Sequence, residues 1–157
     1  MSPEKSKSRV QQVRRRIRRL RIDPVVASVH IINPLAFYWT AFDEWRGGIV
    51  AAKARMEGLA EIAGVGAVID GGDFNSTPDM RQFRDLLTNG YQDAVDQTGA
   101  GFAPTFPSYF GLPPLITIDH LLTRNAAVSS MRTIDVSGSD HRALLATVKV
   151  PLDPVAS

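Results

Sequence analysis

The stretch that decides the fold runs from residue 65 to residue 78 and reads VGAVIDGGDFNSTP. Val65 to Ile69 is short and mostly apolar, the pattern of a buried strand. The polar run Gly71-Gly72-Asp73-Phe74-Asn75 follows it. Thr77-Pro78 then has the form of a helix N-cap with proline at the first helical position. Strand, polar turn and helix form the repeating unit of an α/β chain. Such turns carry ligands because they are free of packing duty. The paired glycines allow close backbone approach. Asp73 can activate a water or hold a divalent cation, and Asn75 can hold a phosphate oxygen through its amide. The same five residues also suit a plain Asx-type turn, and spacing alone does not choose between the two readings.

Working outward toward the N-terminus, Val25 to Ile32 is rich in β-branched residues and predicts a buried strand ending at Asn33-Pro34. His30 lies inside that apolar run, where a satisfied core histidine is the plain alternative to a site residue. Leu35 to Phe42 is an aromatic connection in which Phe37, Tyr38 and Trp39 either floor a cleft or cover a sheet edge. Asp43 is placed to cap a helix running to about Ala63 and closed by Gly64. The inner face of that helix is Trp45, Ile49, Ala52, Met56, Leu59 and Ala63. On the C-terminal side, a helix from Thr77 to about Leu87 would turn Met80, Phe83 and Leu87 inward. Residues 99–114 form a loop dense in Gly, Pro and aromatics. Ile116 to Leu122, Ala127 to Val136 and Ala143 to Val150 read as strands. The order is mixed α/β, with an antiparallel portion at the end.

The chain has 157 residues, 44% of them hydrophobic, enough for one domain with its own core. With no Cys there is no disulfide, thiolate metal site or cysteine nucleophile. The net charge of +2 hides a split. Residues 1–21 hold nine Lys and Arg and one acid, Glu4, for +8, whereas residues 22–157 carry −6. The basic pI therefore belongs to the first segment, and the remainder is an acidic domain. Val10, Val13, Ile17 and Leu20 recur at helical spacing within the basic segment. That helix is either a solvated extension or a contact for phosphate or a membrane surface. The predicted layout is a basic extension over 1–21, a domain over 22–151 and a tail over 152–157. No apolar run is long enough to span a membrane, and no apolar stretch follows the arginines as in a secretory signal. A soluble, cytoplasmic protein is the default expectation.

Two further clusters sit at predicted strand ends, Asp119-His120 and Ser139-Asp140-His141. In the latter, adjacent side chains can divide their labour, the carboxylate facing a metal and the imidazole a phosphoryl oxygen. The alternative is an exposed polar turn. A second carboxylate would then set the histidine's tautomer, and Asp119 is the candidate. The carboxylates Asp73, Asp119 and Asp140 suit hard Mg²⁺ or Mn²⁺, and the histidines suit general-base or stabilising roles. The three histidines could instead serve zinc, but none has the short helical His spacing of the usual zinc motifs.

With these residues in view, the chain resembles the endonuclease/exonuclease/phosphatase family over about residues 25–150. Four motifs carry the resemblance, in the family's order: Val29-His30 with Pro34, Gly72-Asp73-Phe74-Asn75 with Pro78, Ile118-Asp119-His120, and Gly138-Ser139-Asp140-His141-Arg142. Gly90-Tyr91-Gln92-Asp93-Ala94, Thr105-Phe106-Pro107 and Trp45-Arg46 look like the actinobacterial branch, whose members often carry membrane helices ahead of the domain. The resemblance implies a deoxyribonuclease-I-like four-layer α/β/β/α sandwich and Mg²⁺-dependent hydrolysis of a phosphodiester or phosphomonoester. It implies that Asp73 activates the water and that Asn75 binds the scissile phosphate. It makes His141 base or stabiliser, oriented by Asp119, and gives His30 to the leaving group. Asp140, Asp73 and Asn75 would serve the metal.

The same resemblance implies an early Asn and a Gln-Glu pair whose glutamate is the main Mg²⁺ ligand. About 24 residues precede the His30 strand, and no Gln-Glu pair occurs among them. The expectation is therefore an incomplete sandwich lacking its N-terminal half, as in a gene fragment or a misplaced start. It would bind Mg²⁺ or Mn²⁺ weakly and hydrolyse slowly, and would self-associate through an uncovered sheet. The substrate would be a nucleic acid, a phospholipid or a small ester. The alternative is a non-catalytic remnant, or a protein whose basic segment binds nucleic acid or an anionic membrane.

Overall fold

The computed structural model describes residues 22–35, 39–109, 113–153 and 155. The expected basic helix within 1–21, and Phe37 and Tyr38, lie outside them. Strands β1 (Val25–His30), β2 (Val68–Asp73), β3 (Gln92–Asp93) and β4 (Asp119–Arg124) form one sheet in the order β1-β2-β4-β3. β1 and β2 are parallel, and β4 runs antiparallel to both β2 and β3. β5 (Ala127–Ile134) and β6 (Ala143–Lys149) form a separate antiparallel ribbon. Parallel neighbours need a long crossover, supplied here by helix α1 (Ala41–Ala63). Helices α2 (Arg81–Arg84) and α3 (Ala94–Thr98) are single turns. Among the described residues, no helix is long and apolar enough to cross a membrane.

α1 buries Ala41, Trp45, Ile49, Ala52, Met56 and Ala63 against Val29, Val68 and Leu122 of the sheet, with Phe74, Phe83, Leu86 and Tyr91 closing the core. Leu59 is partly buried against the same cluster. Each fully buried large side chain of this set contributes roughly 1.5–3 kcal/mol. The helix begins two residues before the expected cap. Thr40 occupies that position, its hydroxyl bonded to Glu44, and Asp43 stands in the first turn. Gly64 ends the helix at φ 56°, and its N–H returns to Ala60 O.

The second strand starts three residues later than Val65 and runs on through Gly71, Gly72 and Asp73. The polar run expected as a turn is thus largely strand, because β4 pairs with it as far as Asp73 opposite Asp119. Gly72 explains why glycine is needed there: its φ is 152°, and a Cβ would come within 1.9 Å of Val29 O. The helix expected from Thr77 to Leu87 shrinks to one turn. Leu86 and Leu87 make i to i−3 bonds to Phe83 and Arg84, which do not propagate an α-helix. β4 begins at Asp119 rather than Ile116, which makes only an isolated bridge to Phe106.

One feature of β2 opposes stability. Asp70 is fully buried on the α1 face, and neither carboxylate oxygen has a hydrogen-bond partner. Burial pushes its carboxyl above the usual range, opposed by the charge of Arg55.

Candidate catalytic site

Register assembles the site. His30, the last residue of β1, is paired with Asp73, the last of β2, which is paired with Asp119, the first of β4. Residues in one cross-strand row share a face of the sheet. This face is opposite the one that packs on α1, since Val29 and Phe74, the chain neighbours of His30 and Asp73, belong to the core. His30 is therefore not a core histidine. Its side chain is 81% exposed, with Nε2 3.9 Å from Asp73 Oδ2.

The loop between β5 and β6 brings His141 onto the same face. Its Nδ1 lies 2.8 Å from Asp119 Oδ2, and both side chains are half-buried. The bond to the carboxylate fixes Nδ1 as donor and leaves Nε2 for a ligand. Burial alone would lower the His141 pKa. The hydrogen bond to Asp119 and the charges of Asp119, Asp73 and Asp140 outweigh it, so the pKa is raised. The Asp73 carboxyl is also raised, first by burial and then by the Asp119 charge, against the Asn75 N–H, His141 and His30. Facing carboxylates and a charged imidazole at one strand end create this coupling.

Asn75 closes the turn after β2. Its N–H donates to Asp73 Oδ1 at 2.8 Å, and its φ of 44° is left-handed, a conformation that Asn tolerates. Its Nδ2 donates to Ile31 O at 2.8 Å and to Asp73 Oδ2 at 2.9 Å. Both amide hydrogens are thus engaged, and Oδ1, an acceptor, is the atom left for a ligand. Asp140 is exposed, and its backbone oxygen accepts from Ser108 N at 2.6 Å.

Asp73, Asp119 and His141 each offer one ligand atom, and these atoms lie within 4.8 Å of one another. Two carboxylates with the Asn75 carbonyl nearby make an oxygen-rich donor set that fits a hard divalent cation. Asp140 is not among the three.

Thr105 is a supporting residue that the sequence reading did not single out for the site. It is fully buried, and its Oγ1 accepts from Ile118 N at 3.2 Å and Asp119 N at 3.3 Å. Its carbonyl accepts from Arg142 N at 2.7 Å. One residue therefore ties the start of β4 to the chain just after His141. Phe106 follows it with its ring centroid 4.9 Å from that of His141. The only local signal was its place in the Thr105-Phe106-Pro107 element.

Comparison with known proteins gives a family-model match, described as the endonuclease/exonuclease/phosphatase family, over residues 6–141. No curated protein matches the chain. Solved structures with similar folds include an endonuclease/exonuclease/phosphatase from Bacteroides vulgatus. It is 23% identical with a TM-score of 0.56, over 69% of this chain and 45% of that one. Truncated TDP2 of Caenorhabditis elegans is 13% identical with a TM-score of 0.59, over 82% and 55% of the two chains. A mannosyl-6-phosphatase of Bacteroides thetaiotaomicron is 15% identical with a TM-score of 0.51, over 68% and 46%. The chain spans about half the length of these structures.

Proposed function

Since this chain belongs to the endonuclease/exonuclease/phosphatase family, we propose that it is a divalent-metal-dependent hydrolase of phosphate esters. One observation carries the proposal: the Asp119–His141 pair stands beside Asp73, with one ligand atom from each of the three within 4.8 Å of one another. Names of similar structures, a mannosyl-6-phosphatase and TDP2, support the phosphoesterase class without choosing a substrate. The substrate class we propose is a phosphomonoester or phosphodiester.

Asp73, Asp119 and the Asn75 carbonyl would hold Mg²⁺ or Mn²⁺, with Asp140 as a further carboxylate in the loop beside His141. A cation held there would supply positive charge to a phosphoryl oxygen. Asp73 would orient the attacking water and take its proton. His141 in its protonated form donates from Nε2 to a phosphoryl oxygen, and Asp119 holds the ring in that orientation. His30, exposed beside Asp73, serves the leaving group. With only two carboxylates as charged ligands, the cation would be held weakly and turnover would be slow.

The test is hydrolysis of p-nitrophenyl phosphate, its bis ester and plasmid DNA with Mg²⁺ or Mn²⁺. Turnover that Asp73→Ala and His141→Ala both abolish supports the proposal. Turnover that neither variant alters overturns it.

A further inference from the structure

Behind the site, on the α1 face of the sheet, lies a second polar assembly that the reaction does not use. His120 is wholly buried, its ring centroid 4.0 Å from that of Phe83 and 6.0 Å from that of Phe74. Its Nε2 lies 2.9 Å from Ser76 O and its Nδ1 2.7 Å from Asp93 Oδ2. A carbonyl oxygen only accepts, so Nε2–H donates to Ser76, and Nδ1 and Oδ2 hold a further proton between them. Asp93 Oδ1 accepts from Val95 N at 3.1 Å and so caps α3. Ser76 directly follows Asn75, and its hydroxyl accepts from Trp45 Nε1 and donates to Phe74 O.

An apolar side chain would fill the space between Phe74 and Phe83 without the cost of desolvating a histidine and a carboxylate. What the pair adds is direction, two short bonds with restricted angles in a dry interior. We propose that Asp93 and His120 are positioning residues for hydrolysis, anchoring the Ser76 carbonyl and thereby holding Asn75 in its left-handed turn. The proposal rests on the reading of Asp73 and Asn75 as site residues. The anchor has a second consequence. His120 adjoins Asp119 in β4, so the same bonds set the separation between Asp119 and the Asn75 turn. The two halves of the site are spaced by a bridge neither half contains.

The experiment follows the Asn75 side-chain amide by NMR in the full chain. In the unaltered protein its hydrogens, held by Ile31 O and Asp73 Oδ2, are expected to stand apart from the ordinary amide position and to exchange slowly. His120→Phe keeps a ring and loses both bonds. Asp93→Ser keeps a cap for Val95 N and cannot reach His120. Both variants are expected to return the Asn75 amide to the ordinary position, with exchange at least about tenfold faster, while the Val68 and Met56 amides stay in place. His120→Gln, which retains two donors, restores the original signal. In the hydrolysis assay the two breaking variants lose at least about tenfold in kcat with KM within about twofold, and His120→Gln recovers most of it. An unmoved Asn75 amide in both breaking variants overturns the proposal. Loss of the dispersed spectrum in all three variants also overturns it, making the pair a folding element alone. An unaltered protein without hydrolysis fails the functional reading but leaves the Asn75 measurement decisive for the pair.

Discussion

Asp119 and His120 are neighbours in β4, yet they belong to different aspartate–histidine pairs on opposite faces of one sheet. Asp119 meets His141 at 2.8 Å on the open face, with both side chains half-buried. His120 meets Asp93 at 2.7 Å on the α1 face, with both side chains buried. The bonds are alike in length and differ in surroundings. On the open face the histidine keeps Nε2 available and its charge is tuned by three carboxylates. On the buried face both nitrogens are consumed by protein acceptors. In the roles proposed above, the same chemical pair works where one nitrogen is left over and braces where none is. Asp70, a second aspartate on the buried face, makes no hydrogen bond and shows what that face costs an unsatisfied carboxylate.

The comparison can be broken in order of effect. The largest change is expected from Asp73→Ala or His141→Ala, each lowering kcat by about 10²–10⁴-fold in the phosphate-ester assay. The melting temperature should move little, because a partly exposed pair contributes only about 0–1 kcal/mol. His120→Ala should do the reverse to stability, costing about 3–5 kcal/mol by leaving Asp93 buried and unpaired. Calorimetry would show the midpoint falling on the order of 10 °C. If His120→Ala melted like the parent, the contrast between the faces would be wrong.

Asp70→Val should stabilise by about 1–3 kcal/mol, since it removes an unsatisfied buried carboxylate. Its pH dependence has a definite sign. The folded pKa is raised above the ordinary 3.8, so the protonated form is favoured by folding. That contribution is present below 3.8 and is lost as pH rises through the folded value. The advantage of the valine variant in thermal melts should therefore be full at neutral pH and shrink in acid. The smallest expected effect is that of Asp119→Asn on His141. Removing the hydrogen-bonded charge should lower the histidine's NMR titration midpoint, and an unchanged midpoint would assign the shift to other groups.

Much of this was legible in residues taken singly. The apolar spacing of Trp45, Ile49, Ala52, Met56 and Ala63 marked the inner face of α1 before any contact was known. Asp73, Asn75, Asp119 and His141 stood out as polar groups at the ends of apolar runs. Other features were not legible because their causes are not local. β2 extends through its glycines because β4 lies alongside. His30 is exposed because β1 is an edge strand whose register puts His30 beside Asp73. Gln92 and Asp93 form a strand too short for any periodicity to announce.

Local residue pattern is enough to set the alternation, the order of elements and the kinds of chemistry on offer. Period-two geometry sends Asp119 and His120 to opposite faces whatever surrounds them. Asp119 was the carboxylate expected for His141, but tertiary packing alone joins the two across 22 residues and gives His120 its partner Asp93, 27 residues away. Partner choice depends on strand register and on which face is dry, and both are set by contacts far apart in the chain. For that reason one Asp-His dipeptide holds a half of the candidate site and a half of its support.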